Sequence, residues 1–468
     1  MRSARPLYQC FPSVLCVGKE TTVTIVPRDT SRVFRPEWEY AIGIDGIMDD
    51  QLDYQNHSPT DHSYEIANGC LLFTFTPAKE QEYFVRLVAL GKEFKLPLYA
   101  VEEDLYHLRP LKGDFHTHTY YSDGNNGITM TPADYREEGF DFFTLTDHNR
   151  RFTSVLAQEL YKDVPLGMHI IPGEEVHTPG SAVHIVHAGG KGSVCARYIH
   201  NPEEYQAEVE SIEAELPHIP EQYRTRVAMA HWACRKIHEK EGLAIFAHPF
   251  WQPDHYNVIP ELSRIFFEEK IFDAFELMGG CRTKDSNMQL ALWQEQAFRG
   301  NPISVVGSSD SHNHDSDGNI FAHRFTLVFA KENTTEAILE AVRNGFSLAG
   351  EQPKGRLDDV RFYGSSLRLI AFAHFLYENY FPETWRLCFG EGVLMRRYAQ
   401  GEDVAAVLGA LAPTVETFWK RFYGLLEAPV LGHKELAFLD RALEIQRTEG
   451  PISKGSKLYI YGTNQRRE

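Results

Sequence analysis

The sequence predicts an α/β protein whose central region is a parallel sheet or barrel, flanked by a β-rich N-terminal region and a mainly helical C-terminal region. Three observations predict this: alternating apolar runs up to about residue 105, short apolar runs between amphipathic stretches over 111–350, and long apolar stretches from 355 onward. A chain of 468 residues is also too long for one ordinary domain. The predicted domains are therefore 1–105, 111–350 and 355–468.

Short alternating strands are typical of the N-terminal region. Thr22–Val26 and Leu72–Thr76 alternate between apolar and polar residues, and a proline follows each run. Glu82–Leu90 and Phe94–Val101 are two further runs. Short strands bounded by Pro and Gly predict a small antiparallel sandwich. No cluster of catalytic residue types occurs here, so we expect a packing or oligomerisation module.

Short apolar runs and amphipathic stretches alternate through the central region. Stretches such as 202–215 and 283–298 separate the runs, which is typical of βα units that build a parallel sheet or barrel. In such a fold, functional side chains lie just past the C-terminal ends of the strands. The predicted strands are 142–145, 170–171, 183–186, 243–247, 274–277, 303–306 and 325–329.

The C-terminal region contains two long apolar and aromatic stretches, 366–380 and 404–423. Trp385, Trp419 and several Phe and Tyr fall on predicted core faces. An aromatic stripe at helical spacing is typical of a packed core. We therefore predict helices in this region and no ligand site.

Net charge, cysteine spacing and apolar runs indicate which kinds of partner and which cellular compartment to expect. The formal net charge of −18 argues against a polynucleotide-binding surface, which needs an excess of Lys and Arg. The seven cysteines are widely spaced without a CxxC pair, so we expect a reducing, cytoplasmic environment and no disulfide framework. No apolar run has the length of a signal peptide or a membrane span. The expected partner is a small substrate, and self-association into a homo-oligomer stays open.

The first chemical motif is the segment GDFHTHTYYSDG, which begins at Gly113. His116 and His118 lie two residues apart, so in an extended segment they point to the same side and can face one metal ion. Imidazole suits zinc, iron and manganese, and carboxylates favour harder ions. Asp123 follows in a turn-forming Ser-Asp-Gly. Taken alone, a His-x-His pair is weak evidence because many such pairs arise by chance.

Three further apolar runs carry a His or a carboxylate. A TDHN segment contains His148, and a PGEE segment contains Glu174 and Glu175, which alternation places on opposite faces. His184 lies within an apolar run, where an unpaired imidazole is costly to bury. A lone His in that position is more often a hydrogen-bonded core residue than a ligand. Here, however, similar residues recur along the chain.

Two later strands end in the same way. His248 follows one apolar strand, and Asp310 and His312 lie two residues apart after the next. Each feature alone has an ordinary explanation, such as a strand cap or a solvated side chain. Six of them in one βα region are better explained by ligands that converge at the mouth of a barrel.

The order of these segments resembles the PHP (polymerase and histidinol phosphatase) superfamily. HTHTYYSDG, TDHN, HIV followed by AHPF, and SSDSH are similar to its four motifs, and the resemblance covers about residues 111–350. It implies a distorted (β/α)₇ TIM-like barrel with two or three divalent metal ions, commonly zinc, iron or manganese. The layout with a β-rich N-terminal domain resembles carbaryl-hydrolase-like members. The ligands that the resemblance implies are His116, His118, Asp123, His148, Glu175, His184, His248, Asp310 and His312.

Two choices within that set rest on the pattern of the superfamily. Glu175 is chosen over Glu174 because the pattern is Gly-x-Glu, and His184 over His187 because the His precedes an apolar pair. An amidohydrolase also begins with His-x-His, but it usually needs a metal-bridging Lys and a lone final Asp. This sequence has an acidic segment and an Asp-x-His instead.

The resemblance implies a phosphoesterase in which a hydroxide held between the metal ions attacks a small phosphate mono- or diester. The alternatives are a carboxyl or carbamate ester hydrolase with the same metal centre, a nuclease for short oligonucleotides, and a non-enzymatic binding protein. His177 is the candidate proton donor, and Arg282 is the candidate phosphate clamp, with Lys284 and Arg324 as further candidates. We expect Glu276 to support a metal ion or bind substrate.

Overall fold

The computed structural model divides the chain into two compact units. The first is Leu108–Glu416, and the second comprises the described residues of Arg2–His107 and Thr417–Glu468. No helix in the described part of the chain is long and apolar enough to cross a membrane. The residues that the structure describes are 7–29, 32–48, 62–89, 91–252, 254–280, 282–313, 321–352, 359–429 and 432–449.

The second unit contains a β-sandwich of two four-stranded sheets. Its elements are β1 (Tyr8–Phe11), β2 (Val14–Cys16), β3 (Thr21–Pro27), β4 (Tyr40–Gly46), β5 (Tyr64–Ala67), β6 (Cys70–Phe75), β7 (Gln81–Ala89), β8 (Lys92–Val101) and the helix α1 (Glu103–Tyr106). The sheets have the strand orders β1-β3-β6-β5 and β2-β8-β7-β4. Tyr83, Val85 and Leu87 alternate inward along β7 and bury one of its faces. The predicted sandwich is confirmed, except that β2 pairs with β8 in the parallel rather than the antiparallel direction.

Residues just after Thr417 also pack in the second unit. The backbone N–H of Ser13 donates to the carbonyl of Phe422 over 2.8 Å, and the Tyr106 hydroxyl donates to the carbonyl of Tyr423 over 2.8 Å. Phe418 also meets Phe11 edge-on. The segment predicted as one helical region, 355–468, is therefore shared between the two units, and the predicted domain boundaries stay predictions.

A ten-stranded sheet forms the centre of the first unit. Its strands are β9 (Arg109–Asp114), β10 (Phe142–Leu145), β11 (His169–His177), β12 (His184–Gly189), β13 (Gly242–Phe246), β14 (Ala274–Met278), β15 (Ser304–Gly307), β16 (Arg324–Ala330), β17 (Ser347–Glu351) and β18 (Arg361–Tyr363). The order is β15-β14-β13-β12-β11-β10-β9-β16-β17-β18. β10, β13 and β14 are buried along their whole length, which explains why their sequences are mostly apolar, with Thr144 in β10 and Glu276 in β14 as the polar exceptions.

The seven strands from β9 to β15 form the wall of a barrel that closes at one end. The segments after β9 and β15 pair there through a parallel bridge between Thr117 and Ser311. Farther along the line of closure, the Thr326 hydroxyl on β16 donates to the carbonyl of Gly307 over 2.7 Å. A Cβ atom at Gly307 would lie 2.4 Å from the carbonyl oxygen of Phe325, so only glycine permits this approach. The predicted α/β barrel fold is confirmed.

Three strands of the sheet, β12, β16 and β18, run against the expected parallel direction. β12 is antiparallel to both β11 and β13, and β16 is antiparallel to β9. Only residues 178–183 connect β11 to β12, which is too short for a helical crossover. The chain therefore turns back as a hairpin, and the start of β12 lies where its neighbours end.

Helices cover the barrel and continue into the C-terminal segment. The predicted stretch 404–423 is two helices, because Pro413 between them has no backbone N–H to continue the first one. The helices are α2 (Thr131–Glu137), α3 (Phe152–Leu160), α4 (Cys195–His200), α5 (Pro202–Ala214), α6 (Glu221–Glu239), α7 (Pro260–Glu269), α8 (Thr283–Phe298), α9 (Thr335–Arg343), α10 (Leu367–Asn379), α11 (Phe381–Ala399), α12 (Ala405–Leu411), α13 (Thr414–Phe422) and α14 (His433–Glu449).

A buried ion pair joins α11 to α2. Arg136 donates from Nε to Glu391 over 2.8 Å, and its Nη2 lies 2.7 Å from the same carboxylate oxygen. The other oxygen of Glu391 accepts from the backbone N–H of Gly167 over 2.5 Å. Both ionic side chains are buried, so their attraction is little screened by solvent. This contact fixes the predicted helical segment after 355 to the barrel.

Candidate metal centre

The mouth of the barrel brings together all nine residues that the sequence predicts as metal ligands, together with His177 and Glu276. Several sets of three or four of these side chains have ligand atoms within 4.8 Å of one another. The sets are His118, Asp123, His148 and His312; His116, His248 and Glu276; His116, His118 and Glu175; His148, Glu175 and His177; and Glu175, His184 and His248.

Glu175 lies at the centre of this cluster and is fully buried. In the described chain, its Oε2 atom has no partner with hydrogen-bond geometry, although four imidazoles surround it. Such an atom is costly to bury unless a cation binds it. The Oε1 atom is 3.0 Å from His184 Nδ1 and 3.2 Å from His248 Nε2, while Oε2 is 2.6 Å from His148 Nδ1, 3.3 Å from His177 Nε2, 3.4 Å from His116 Nε2 and 3.5 Å from His118 Nε2.

Asp310 faces His116 and His118 from the other side of the line of closure, where the segment after β15 meets the segment after β9. Its Oδ1 atom is 3.0 Å from His118 Nε2 and 3.3 Å from His116 Nε2. These two nitrogens are themselves only 3.1 Å apart. Three ligand-type atoms thus converge within hydrogen-bonding distances, as they would around one cation.

Glu276 orients His116 from the opposite side of the imidazole. Its Oε2 atom lies 2.8 Å from Nδ1 of His116, and both side chains are fully buried. A carboxylate that accepts the Nδ1 proton leaves the Nε2 lone pair directed at Glu175 and Asp310. The sequence placed Glu276 near a metal ion or substrate, but its contact with His116 was not predicted.

Asp123 forms the outer, more exposed part of the cluster. Its Oδ1 atom lies 3.2 Å from His148 Nε2 and 3.3 Å from His312 Nε2. The ring of His312 also stacks on that of His118, with centroids 4.3 Å apart. This outer group adjoins the inner one through His118 and His148, so the cluster is continuous.

Glu174 and Glu175 point to opposite faces of β11. Glu174 is buried and accepts from the hydroxyl of Ser193 over 2.6 Å and from the backbone N–H of Val194 over 2.5 Å. Its Oε1 lies 3.1 Å from Nδ1 of His187. This second acid–imidazole pair is bonded to the protein on the outer side of the sheet, so it is separate from the metal-type cluster.

His184 reaches the mouth because β12 runs backwards. It is the first residue of β12 and pairs with His177 at the end of β11, where the two rings stack with centroids 3.6 Å apart. The sequence interpretation placed His184 within an apolar strand. The reversal, rather than a strand end, explains its position.

Asp114 and Tyr135 support the mouth from beneath. Both are fully buried, and burial raises the pKa of Asp114 to about 6. The carboxylate of Asp114 accepts from the backbone N–H groups of His116 and Ser309 and from the Tyr135 hydroxyl, at 3.0–3.1 Å. It therefore joins the two segments that carry the His116 and Asp310 ligand pairs. The sequence analysis missed this role, although Asp114 lies two residues before His116.

Asp147 holds the loop that carries Asp123. It accepts from the backbone N–H and the hydroxyl of Thr119 over 2.7 Å each, and from the Ser122 hydroxyl over 2.7 Å. These three hydrogen bonds fix the path of the chain between His118 and Asp123.

The structure does not bring Arg282 into the cluster. Its side chain is 66% exposed and donates to the carbonyl of Gln252 over 2.8 Å, and its Nε lies 3.4 Å from Asp285. Lys284 lies 3.5 Å from the side-chain oxygen of Gln252, and Arg324 is buried and donates to the carbonyl of Gly279. The predicted phosphate contact of Arg282 stays a prediction.

The carboxylates of the cluster face imidazoles alone in the described chain. Asp123, Glu175, Glu276 and Asp310 contribute four carboxylates, and none of their contacts in the described chain is to a Lys or Arg. Burial lowers the pKa of His118 and of His184 to about 4, which favours the neutral imidazole that binds metal ions.

Burial and charge act in opposite directions on the remaining inner groups. Burial lowers the pKa of His116, but the carboxylates of Asp310 and Glu175 outweigh it and raise that pKa well above its usual value. Burial raises the pKa of Glu175, but the imidazoles around it hold that pKa well below its usual range. Burial also lowers the pKa of His148 and of His312, but the carboxylate of Asp123 outweighs it and raises these values to about 10 and about 9. Divalent cations among the ionised carboxylates would replace the protons on these imidazoles. The side chains present therefore fit a metal centre.

Comparisons with known proteins give partial likenesses to solved structures. No family model and no curated protein matches the sequence. One similar structure is a two-domain protein from Bacteroides vulgatus that contains a predicted PHP-like metal-dependent phosphoesterase. It is 21% identical over 52% of this chain, with a TM-score of 0.37. The match covers 66% of that protein, just under two thirds of its length. A protein from Bifidobacterium adolescentis, assigned as a metal-dependent phosphoesterase, is 16% identical over 43% of this chain and 87% of its own, with a TM-score of 0.32.

An amidohydrolase from Chromobacterium violaceum, solved with bound sulfate and no metal, is 18% identical over 44% of this chain and 89% of its own, with a TM-score of 0.29. Each of the three likenesses covers about half of this chain or less.

Proposed function

We propose that this protein is a metal-dependent hydrolase that holds two or three divalent metal ions and cleaves a small phosphate mono- or diester. The observation that carries the proposal is Glu175, a buried carboxylate with six imidazole nitrogens within 3.5 Å of its oxygens. A carboxylate can bind one cation at each oxygen, and imidazoles can complete both sets of ligands. The three further carboxylates of the cluster, Asp123, Glu276 and Asp310, support the same conclusion.

Bound metal ions would lower the pKa of a water molecule beside them and neutralise the charge of a phosphate group. The residues of the chain hold the candidate metal ligands in place and orient them. Glu276 accepts the Nδ1 proton of His116, and Asp114 keeps the segments after β9 and β15 together. These contacts fix the ligands before a substrate arrives, so little reorganisation is needed during the reaction.

His177 is the proposed proton donor to the leaving group. Its ring lies at the edge of the cluster, 3.3 Å from Glu175, and is 24% exposed, so a bound ester can reach it. If His177 acts in this way, His177→Gln lowers the rate more for poor leaving groups, such as alkyl alcohols, than for 4-nitrophenol. A loss of bound metal in this variant would instead assign His177 as a ligand.

The choice of a phosphate ester rests on the resemblance to PHP proteins and on the acidic net charge. With a net charge of −18, the protein is better suited to a small phosphate ester than to a polynucleotide. The same metal centre is able to cleave carboxyl or carbamate esters, which remain the alternative substrates.

The test combines metal analysis with a substrate panel. Protein purified without chelator is expected to contain at least two equivalents of Zn, Mn or Fe, and to release phosphate from some phosphate esters. Chelation should abolish that activity, and added Mn²⁺ or Zn²⁺ should restore it. His118→Asn should lose metal and activity, while His218→Asn, which alters an exposed His bonded to Glu269, should retain both.

Two results would contradict the proposal in different ways. Protein without stoichiometric metal, even after metal is added, would rule out the metal centre. Metal-loaded protein that cleaves aryl carboxyl or carbamate esters but no phosphate ester would keep the hydrolase and reject the phosphate substrate.

A further inference from the structure

A tryptophan lies half-exposed beside the candidate ligands. Trp251 follows His248 by three residues and is 39% exposed. Its ring centroid lies 6.4 Å from that of His248 and 6.5 Å from that of His184. In the described chain these are the ring contacts of Trp251, and both partners are candidate metal ligands. The indole is therefore next to the place where the metal ions would bind.

The loop that carries Trp251 is held by hydrogen bonds on both sides. The backbone N–H of Trp251 donates to the carbonyl of His248 over 3.0 Å, and its own carbonyl accepts from the N–H of Asn257 over 3.1 Å. The N–H of Val258 donates to the carbonyl of Pro249 over 2.9 Å. Arg282 then fixes the next residue by donating to the carbonyl of Gln252 over 2.8 Å. The aromatic ring is thus presented from a backbone that is already ordered.

A large apolar ring in this position is not explained by packing. Trp251 does not belong to the hydrophobic cluster that contains its neighbours Phe250 and Val258, both of which are buried. An exposed indole gains free energy when another flat apolar group covers it, and an ordered loop lowers the entropy lost in doing so. A substrate bound at the metal ions is the group most directly placed to cover it.

Aromatic side chains also occur in the segments that carry the outer ligands Asp123 and His148. Tyr120 and Tyr121 stack with ring centroids 4.4 Å apart, and Phe152 meets Tyr121 edge-on at 5.5 Å. Tyr120 and Phe152 are exposed, and Tyr121 precedes the candidate ligand Asp123 by two residues. Aromatic surface therefore lies near both the inner and the outer ligands, which is typical of sites for ligands with apolar parts.

We propose that Trp251 determines substrate specificity by stacking on an aromatic ring of the substrate, so that the preferred substrates are phosphate esters that carry such a ring. This rests on the proposed function for the phosphate part. The indole face provides affinity without hydrogen bonds, so it selects for the presence of a ring rather than for a particular ring. The phosphate binds at the metal ions and the ring lies over Trp251.

Matched pairs of esters and of variants test this proposal. Trp251→Ala should raise KM for phenyl phosphate about 10-fold or more, as expected for a lost stacking contact, and leave KM for methyl phosphate nearly unchanged. Trp251→Phe keeps an aromatic face and should restore most of the preference. Phe298→Ala is the control, because Phe298 is 94% exposed at the end of α8 and should affect neither substrate.

Binding of non-hydrolysable phosphonates separates this proposal from the proposed function. Calorimetry on metal-loaded protein should show phenylphosphonate binding more tightly than methylphosphonate, and Trp251→Ala should remove the difference. Equal affinities in the unchanged protein, or a difference that survives in Trp251→Ala, would overturn the role of Trp251. A Trp251-dependent preference without hydrolysis of any phosphate ester would keep that role and reject the phosphoesterase. Binding of neither phosphonate would reject both.

Discussion

Two buried groups of charges in the first unit differ in how they are neutralised. In the pair between α2 and α11, Arg136 and the backbone of Gly167 face the two oxygens of Glu391. At the mouth of the barrel, only imidazoles face Glu175, and one of its oxygens has no hydrogen-bond partner in the described chain. A buried carboxylate beside a guanidinium and a backbone N–H is neutralised by the protein, whereas one surrounded by imidazoles is suited to binding a cation. This difference in partners distinguishes the structural pair Arg136–Glu391 from the candidate metal centre around Glu175, without reference to any related protein.

The largest expected effect comes from removing the charge at the centre of the mouth. Glu175→Gln should lose bound metal and at least about 10³-fold in activity, because metal ions supply several kcal/mol of transition-state stabilisation. Metal-free variant and metal-free unchanged protein should melt within a few degrees of each other. Elemental analysis, kinetics and calorimetric melting measure the three quantities. Full metal content in Glu175→Gln would show that Glu175 is not needed to bind metal, and would contradict the distinction between the two groups of charges.

The structural pair should respond in the opposite way. Glu391→Ala leaves the buried Arg136 with Asp141 as its one carboxylate partner in the described chain, 3.5 Å from Nη1. The free energy of unfolding should therefore fall by about 3 kcal/mol, measured by urea titration. Protein that remains folded should keep its metal. Glu402→Ala is the control, since Glu402 pairs with Arg397 at an exposed position and should change stability little. Equal stability losses in both variants would argue against a special role for the buried pair.

A smaller effect is expected at the carboxylate behind His116. Glu276→Gln should weaken metal binding by about 10–100-fold, because the amide accepts the Nδ1 proton less strongly and orients the imidazole less well. Competition with a chromogenic chelator measures the affinity. Complete loss of one metal equivalent, with the others bound normally, would show instead that Glu276 is itself a ligand.

The smallest effect is expected beneath the mouth. Tyr135→Phe removes one hydrogen bond to Asp114, which should cost about 1 kcal/mol of stability and change metal affinity only slightly. Chemical denaturation in the presence and absence of metal measures both. A large loss of metal affinity with unchanged stability would move Tyr135 from the structural group to the functional one.

Local pattern and the motif resemblance were enough to predict most strands and the nine side chains that meet at the mouth, whose role as metal ligands stays a prediction. Alternation along the PGEE segment separates Glu174 from Glu175, and the structure places them on opposite faces of β11. β7 and β8 follow runs visible in the sequence. These features depend on neighbouring residues, so a sequence displays them directly.

The direction of β12 and the support from Asp114 and Glu276 could not be predicted in the same way. An apolar run is equally compatible with either strand direction, and only the short connection 178–183 indicates a hairpin. Glu276 meets a His that lies 160 residues earlier, and Asp114 meets a backbone N–H 195 residues later. Such contacts depend on how the whole barrel closes. For the same reason, the sharing of 355–468 between two units was not foreseen.

Because of the way the barrel closes, bound metal ions would also affect the stability of the barrel itself. His116 and His118 lie on one side of the line of closure, and Asp310 and His312 lie on the other. In the described chain β15 has a backbone ladder only with β14. On its other side the hydroxyls of Thr326 and Ser347 donate to its carbonyls, and one bridge, Thr117 to Ser311, holds the segment after it. Cations bound by ligands from both sides of this line would hold the two sides together. Amide hydrogen exchange in β15 would therefore slow when metal binds, and the metal-free barrel would open first between β15 and β9.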